Sequence, residues 1–108
     1  MLNQVILVGR LAKELELKES ENGKKYLNIT LAVPRSFRNA DGEYETDFID
    51  CISFGSVAET TSEWVKKGDT IGIRGRIQTN NNEMQIITEK VTFLSSKSNE
   101  INKEVNNE

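Results

Sequence analysis

Apolar positions along the chain recur mostly at every second residue, in blocks divided by turn-forming residues. The first block covers residues 2–9. Val5, Ile6, Leu7 and Val8 run there without alternation, so a strand at this point needs cover on both faces. One face meets a core and the other suits contact with a second copy. Residues 13–19 alternate charged and apolar, with Leu15 and Leu17 on one side, and are expected to extend this strand past a bend near Gly9. Glu21-Asn22-Gly23 forms a turn. Alternation is clean over residues 26–33: Leu27, Ile29, Leu31 and Val33 face inward, and Tyr26, Asn28, Thr30 and Ala32 outward. Pro34 lacks a backbone donor and is expected to end the strand. Residues 35–44 then read as a loop turning at Asp41-Gly42.

A third strand is expected over residues 45–54. Ser56 then opens a helix, with Glu59 at the capping-box distance. Val57, Thr61, Trp64 and Val65 fall on one helical face, which places Trp64 in the core. Gly68 after Lys66 and Lys67 marks the helix end. Residues 69–78 form a fourth strand with Ile71, Ile73 and Ile77 on one face, and Gly75 among them points to a bulge or a close backbone approach. Asn80-Asn81-Asn82 is a tight turn, and residues 84–94 make a fifth strand. From residue 95 onward Ser, Asn, Lys and Glu dominate, which reads as a disordered polar tail, 95–108. The expectation is one all-β domain over 1–94, with a single helix between strands 3 and 4 of five. That order is the five-stranded Greek-key barrel of the OB-fold, which binds oligomers across its face.

The third strand carries the first candidate chemistry. Phe48, Asp50, Ile52 and Phe54 share one face, and Ile49, Cys51 and Ser53 the other. Both faces hold apolar residues, and only one can line a barrel. If Ile49 and Cys51 point inward, Phe48 and Phe54 stand outside and need cover. Single-stranded nucleic acid supplies it, because every base has a flat face to stack. The strand alone leaves the opposite register equally open. In the loop before this strand, Phe37 between Arg35 and Arg38 suits a stacked base flanked by phosphates, or else a plug for the barrel end. Arg74 and Arg76 lie on the face opposite the isoleucines, and Arg10 falls just past the first strand. All three suit phosphate contacts; the alternative is a solvated polar face.

Composition narrows the classes. Histidine is absent, which removes histidine-based nucleophile systems and histidine metal sites. No acidic pair has metal-ligand spacing, so neither a cofactor nor a metal is expected. Cys51 is the single cysteine; it cannot close a disulfide within the chain and reads as a small core residue in a cytoplasmic protein. No apolar run has the length of a signal segment or a membrane span. The net charge of −3 is unfavourable for binding phosphates, but it is unevenly spread. Residues 1–38 carry seven Lys/Arg against four Asp/Glu, and residues 39–69 carry two against eight. That division permits one attracting face and one repelling face.

Taken together, several blocks resemble one family. Residues 2–11 (LNQVILVGRL), 28–33 (NITLAV), the strand from Asp47-Phe48-Ile49 to Phe54-Gly55, and Val65-Lys66-Lys67-Gly68-Asp69 ahead of Gly72-Ile73-Arg74-Gly75-Arg76-Ile77 are similar to the bacterial single-stranded DNA-binding proteins, in that family's order and spacing. The resemblance spans residues 1–94. It implies a non-catalytic protein that covers single-stranded DNA in replication, recombination or repair, without regard to base sequence. It also implies a homo-oligomer, by family habit a tetramer and otherwise a dimer, paired in part through the first strand. Phe37, Phe48 and Phe54 match the family's stacking aromatics, which turns Phe48 and Phe54 outward. Arg10, Arg35, Arg38, Arg74 and Arg76 resemble its basic lining.

Two departures qualify the likeness. The hairpin at Thr79-Asn80-Asn81-Asn82-Glu83 is shorter than the aromatic-bearing loop many members carry there. The chain also stops at Val105-Asn106-Asn107-Glu108, without the acidic tip ending in Phe that members use to recruit repair proteins. Recruitment by such a tip is therefore not expected of this chain. Two other readings keep part of the pattern: a primosomal-type OB-fold protein acting mainly through protein contacts, and a carboxylate-dependent nuclease.

Overall fold

The computed structural model describes residues 1–96. The strands are β1 (Val5–Leu11), β2 (Lys18–Glu19), β3 (Lys25–Arg38), β4 (Tyr44–Phe54), β5 (Thr70–Asn80) and β6 (Glu83–Ser95), with helix α1 (Gly55–Trp64) between β4 and β5. The hydrogen-bonded order is β1-β5-β6-β4-β3-β2, and β1 also pairs with β3. That last pairing, Arg10 opposite Ala32 and Leu11 opposite Leu31, closes the five long strands into a barrel. All neighbours are antiparallel except β4 and β6, which meet in parallel at Cys51–Ile86 and Ile52–Ile87. The two-residue β2 is an addition to the edge of β3, so the helix follows the third long strand, as the OB-fold requires. The tail expected over 95–108 is corrected at Ser95, which is the last residue of β6; Ser96 follows outside the strand, and residues 97–108, with the expectation about the acidic tip, lie outside the described residues.

Period-two alternation fills the barrel. Leu11, Leu27, Ile29, Leu31, Cys51, Ile71, Ile73 and Ile86 are buried together, with Ala58 and Val65 closing one end. Ile49 packs against them from β4. Burial pushes the Cys51 thiol up to about 11, with neighbouring Asp50 adding to the rise, so this cysteine is an inert part of the core.

Several local expectations are corrected. β1 runs straight through Gly9, which pairs in register with Ile71, and the chain leaves the sheet after Leu11. Only Lys18 and Glu19 of the expected extension are strand, and they pair with β3 rather than prolonging β1. Pro34 does not end its strand. It lies opposite Thr46, the register shifts before Arg38, and the two strands project beyond the barrel as a long hairpin arm. By Pro34 the strand has passed its pairing with β1, and a missing donor is tolerated on such an edge. The expected loop of residues 35–44 therefore shrinks to a short turn, tied by Asn39 Oδ1 accepting from the backbone N–H of Asp41 and Glu43.

The helix begins at Gly55, with Phe54 in the N-cap position and no side-chain cap bond, so Ser56 is not the cap. Gly55 has φ 63°, a conformation that turns the chain sharply out of β4 and starts the helix one residue early. Trp64 is 72% exposed rather than buried. The helix buries Ala58 and Thr61, and Val65 follows on the same side. At 100° per residue, Trp64 falls roughly 90° round from the centre of that stripe.

The bulge expected at Gly75 is present: the β5–β6 register shifts between Arg74 and Gly75. A Cβ on Gly75 would lie 2.0 Å from the Ile87 carbonyl oxygen. Beyond it, Ile77 keeps the inward face but is 40% exposed, because β5 and β6 run on past the core to the Asn81-Asn82 turn. Both turn residues have positive φ, as a two-residue hairpin of this hand demands. Gly75→Ala is expected to cost at least about 1–3 kcal/mol of stability, the usual range for forcing an atom into a filled site. Urea denaturation of the two proteins measures it.

Candidate nucleic-acid interface

The β3–β4 ladder decides which side chains leave the barrel. Ile29 pairs with Cys51 and Leu27 with Ser53 on the inside. The alternate pairs, Tyr26–Phe54, Asn28–Ile52, Thr30–Asp50 and Ala32–Phe48, therefore face out. Phe48 is 67% exposed and Phe54 half-buried, so the outward register is the one the fold adopts. Across the seam, Arg10 pairs with Ala32, which sets Arg10, Ala32 and Phe48 side by side over three strands. On the other flank, Arg76 pairs with Ile87 and Ile87 with Ile52, so Arg76 borders the same face from the β6 side. Its guanidinium makes a 3.2 Å ion pair with Glu89. That pair is exposed to water and weak enough for a phosphate to displace.

The hairpin arm extends this face. Arg38 pairs with Tyr44, and its guanidinium lies 5.4 Å from the Tyr44 ring centre. Tyr44 shares the parity of Phe48 along β4, and it is exposed. Phe37 is exposed in the irregular stretch before Arg38. Arg35 is set differently. Its guanidinium donates to both Glu45 and Asp47, which alternate with Tyr44 and Phe48 and so stand on the reverse side of the arm. The hydrogen bonds and charge of Arg35 hold the Asp47 carboxyl below its ordinary value, and Asp47 with Glu45 raises the Arg35 guanidinium in return. Arg74 lies further round the barrel, opposite Ile6 on β1 and Lys90 on β6, away from the aromatic face.

The outer face is not uniformly basic. Asp50 stands between Phe48 and Ile52, where it accepts a 3.1 Å hydrogen bond from the Thr30 hydroxyl. A groove of about 440 Å³ runs beside it, lined by Lys13, Glu14, Glu16 and Lys18 on one wall and Asn28, Thr30 and Asp50 on the other. Tyr44 and Tyr26 share this outer face and are not among the candidates that the sequence offers. Tyr26 had been placed outward, and its register opposite Phe54 was the missing signal. Among the described residues, no three His, Cys, Asp or Glu side chains come together to hold a metal ion, and no helix is long and apolar enough to cross a membrane.

Comparison with known proteins identifies a family and a fold. The model of the single-strand binding protein family matches residues 2–102. The chain is 43% identical to single-stranded DNA-binding protein 3 of Listeria innocua, over 92% of this chain and 68% of that protein. It is 40% identical to single-stranded DNA-binding protein 1 of Streptococcus pyogenes, over 94% of this chain and 85% of that protein. With single-stranded DNA-binding protein A of Bacillus subtilis the identity is 43%, over 90% of this chain and 62% of that protein. Among solved structures, a deletion mutant of the single-stranded DNA-binding protein from Thermus aquaticus superposes with a TM-score of 0.71 at 22% identity, a likeness of fold. It covers 90% of this chain and about half, 52%, of that one.

The Arg35–Asp47 pair gives a pH signature. Asp47 has a lowered folded-state pKa, so the pair's contribution is complete above the ordinary value of 3.8 and fades as pH falls through the lowered one. In Arg35→Gln the Asp47 carboxyl is expected to titrate at a higher pH, back toward 3.8, as followed by carboxyl-carbon NMR.

Proposed function

Because the chain belongs to the single-strand binding protein family, we propose that it covers single-stranded DNA by stacking bases on its outer face and holding the phosphates with flanking arginines. The observation that carries the reading is Phe48. A ring this exposed beside Arg10, on the outer wall of a closed barrel, offers a flat face for a base and a cation for the adjacent phosphate. The path runs over Phe54, Phe48, Phe37 and Tyr44, with Arg10, Arg38 and Arg76 along it and Arg74 continuing it past β1. Arg35 stiffens the arm from behind. The work is binding without a catalytic step, in the cytoplasm, and it serves replication, repair and recombination as the family does.

We further propose that the protein acts as a homo-oligomer, either a dimer or a tetramer. Ile6 and Val8 on the outer side of β1 are 69% and 52% exposed. Among the described residues, no strand pairs with the edge of β1 over residues 5–9 that faces away from β5. An apolar strand with an open edge pairs readily with a second copy of itself. Ile6→Lys with Val8→Glu is expected to lower the mass seen by sedimentation velocity to that of a smaller species, with the circular dichroism unchanged.

Titration with oligo-dT and with duplex of equal length tests the binding itself. Strong preference for the single strand is expected, with log affinity falling against log salt by about 0.7 for each phosphate neutralised. Phe48→Ala should cost roughly 1–3 kcal/mol of binding and leave thermal stability nearly unchanged. Equal binding of both DNA forms would move the assignment to a protein-contact module.

A further inference from the structure

The β2 end of the outer face holds a cluster of which the stacking path above uses only Phe54. Lys18 pairs with Tyr26, and Tyr26 pairs with Phe54, so the three side chains form one cross-strand row on the outside of the barrel. Lys24 is two residues before Tyr26, and its ammonium sits 4.6 Å from the centre of the Phe54 ring. Two rings thus lie side by side with a lysine at the far end of the row and another above. The neighbouring acid Glu19 pairs with Lys25 on the reverse side. Glu16 lines the adjoining groove with Lys18 and Asn28. Charge is balanced at this point of the sequence, Lys18, Lys24 and Lys25 against Glu16, Glu19 and Glu21, and the Lys25–Glu19 pair cancels one of each sign.

We propose that Tyr26, Lys18 and Lys24 complete, with Phe54, a base-and-phosphate subsite for single-stranded DNA at this end of the face. In the free protein the Lys24 ammonium rests on the Phe54 ring. An exposed cation–ring contact is weaker than a stacked base. An arriving nucleobase therefore takes the ring surface offered by Phe54 and Tyr26. The displaced ammonium remains within reach and takes a flanking phosphate, and Lys18 holds a phosphate on the far side of Tyr26. The exchange trades one contact of Lys24 for a charge-assisted one. It makes this end of the face two rings wide, whereas Phe48 stands opposite the small Ala32. Tyr26 is thereby a DNA-binding residue and not only a partner that steadies Phe54 in the sheet.

The subsite rests on the single-strand reading above, and one set of titrations separates the two. Wild type, Tyr26→Leu, Tyr26→Phe, the double variant Lys18→Gln/Lys24→Gln and Phe48→Ala are titrated with oligo-dT over a salt series, and their melting temperatures are recorded. Tyr26→Leu is expected to weaken binding roughly 5- to 150-fold, the loss of one stacked base, while Tyr26→Phe keeps wild-type affinity because the ring face is what binds. The lysine double variant should flatten the salt dependence by roughly 1.4, the release expected for two phosphates on a single strand. A purely structural Tyr26 would lower the melting temperature and leave the salt slope of the lysine variant unchanged. If Phe48→Ala weakens binding while the Tyr26 and lysine variants match wild type in affinity and slope, the subsite is overturned and the stacking path stands. If wild type shows no preference for the single strand, both fall together.

Discussion

A one-residue slip between β3 and β4 would exchange the two sides of this molecule. In the register adopted, Ile29 lies opposite Cys51 inside the barrel, and Ala32 opposite Phe48 outside. Shifted by one, β4 would send Phe48, Asp50 and Phe54 inward and expose Ile49 and Cys51. The barrel would then have to bury the Asp50 carboxylate without a partner charge, at a cost of several kcal/mol. Ser53, fully buried opposite Leu27, is a much cheaper polar group to enclose. The core therefore selects the register, and the register places the rings. The barrel core and the aromatic outer face are two consequences of one alternation.

That dependence explains which features were legible in the chain. Period two is a local property, so the inward set Leu27, Ile29, Leu31 and the outward set beside it could be read directly. The register of β4 could not, because both of its faces carry apolar residues; the resemblance to a family supplied the answer that Asp50 alone only hints at. Features that depend on neighbours in space were misread. Pro34 looks like a terminator until the arm is seen to lack a third strand beside it. Trp64 has helical spacing with Val57 and Thr61, but a ten-residue helix lying over a barrel end buries a narrow stripe, and a position at its margin stays wet. The pairing of Tyr26 with Phe54 depends on where the hairpin turns, which alternation does not fix.

The arm shows how a chain of net charge −3 can present a face to phosphates. Its acids and its rings alternate along β4, so they are divided between two sides by the pleat itself. Glu45 and Asp47 fall on the reverse side, where Arg35 neutralises them. Tyr44 and Phe48 fall on the outer side, with Arg38 and Arg10 beside them. An acidic middle segment is therefore compatible with binding, because its charge is turned away and partly cancelled before it can repel a strand. Charges within about a Debye length of the path still count.

Asp50 is the exception to that division, and its position is informative. It lies on the outer side between Phe48 and Ile52, held by the Thr30 hydroxyl, with Glu14 and Glu16 across the adjoining groove. A phosphate passing directly over it would meet a groove in which Asp50, Glu14 and Glu16 outnumber Lys13 and Lys18. The proposed stacking path therefore runs with bases against this stretch and phosphates displaced toward the flanks, where Arg10 and Arg76 stand on opposite sides. Aromatic rings tolerate any base, so a central acid does not impose sequence preference. It imposes polarity across the face: bases inward along the middle, phosphates outward along the edges. Arg10 and Arg76 are placed at those edges rather than beside Asp50, which is the arrangement that a backbone steered away from Asp50 requires.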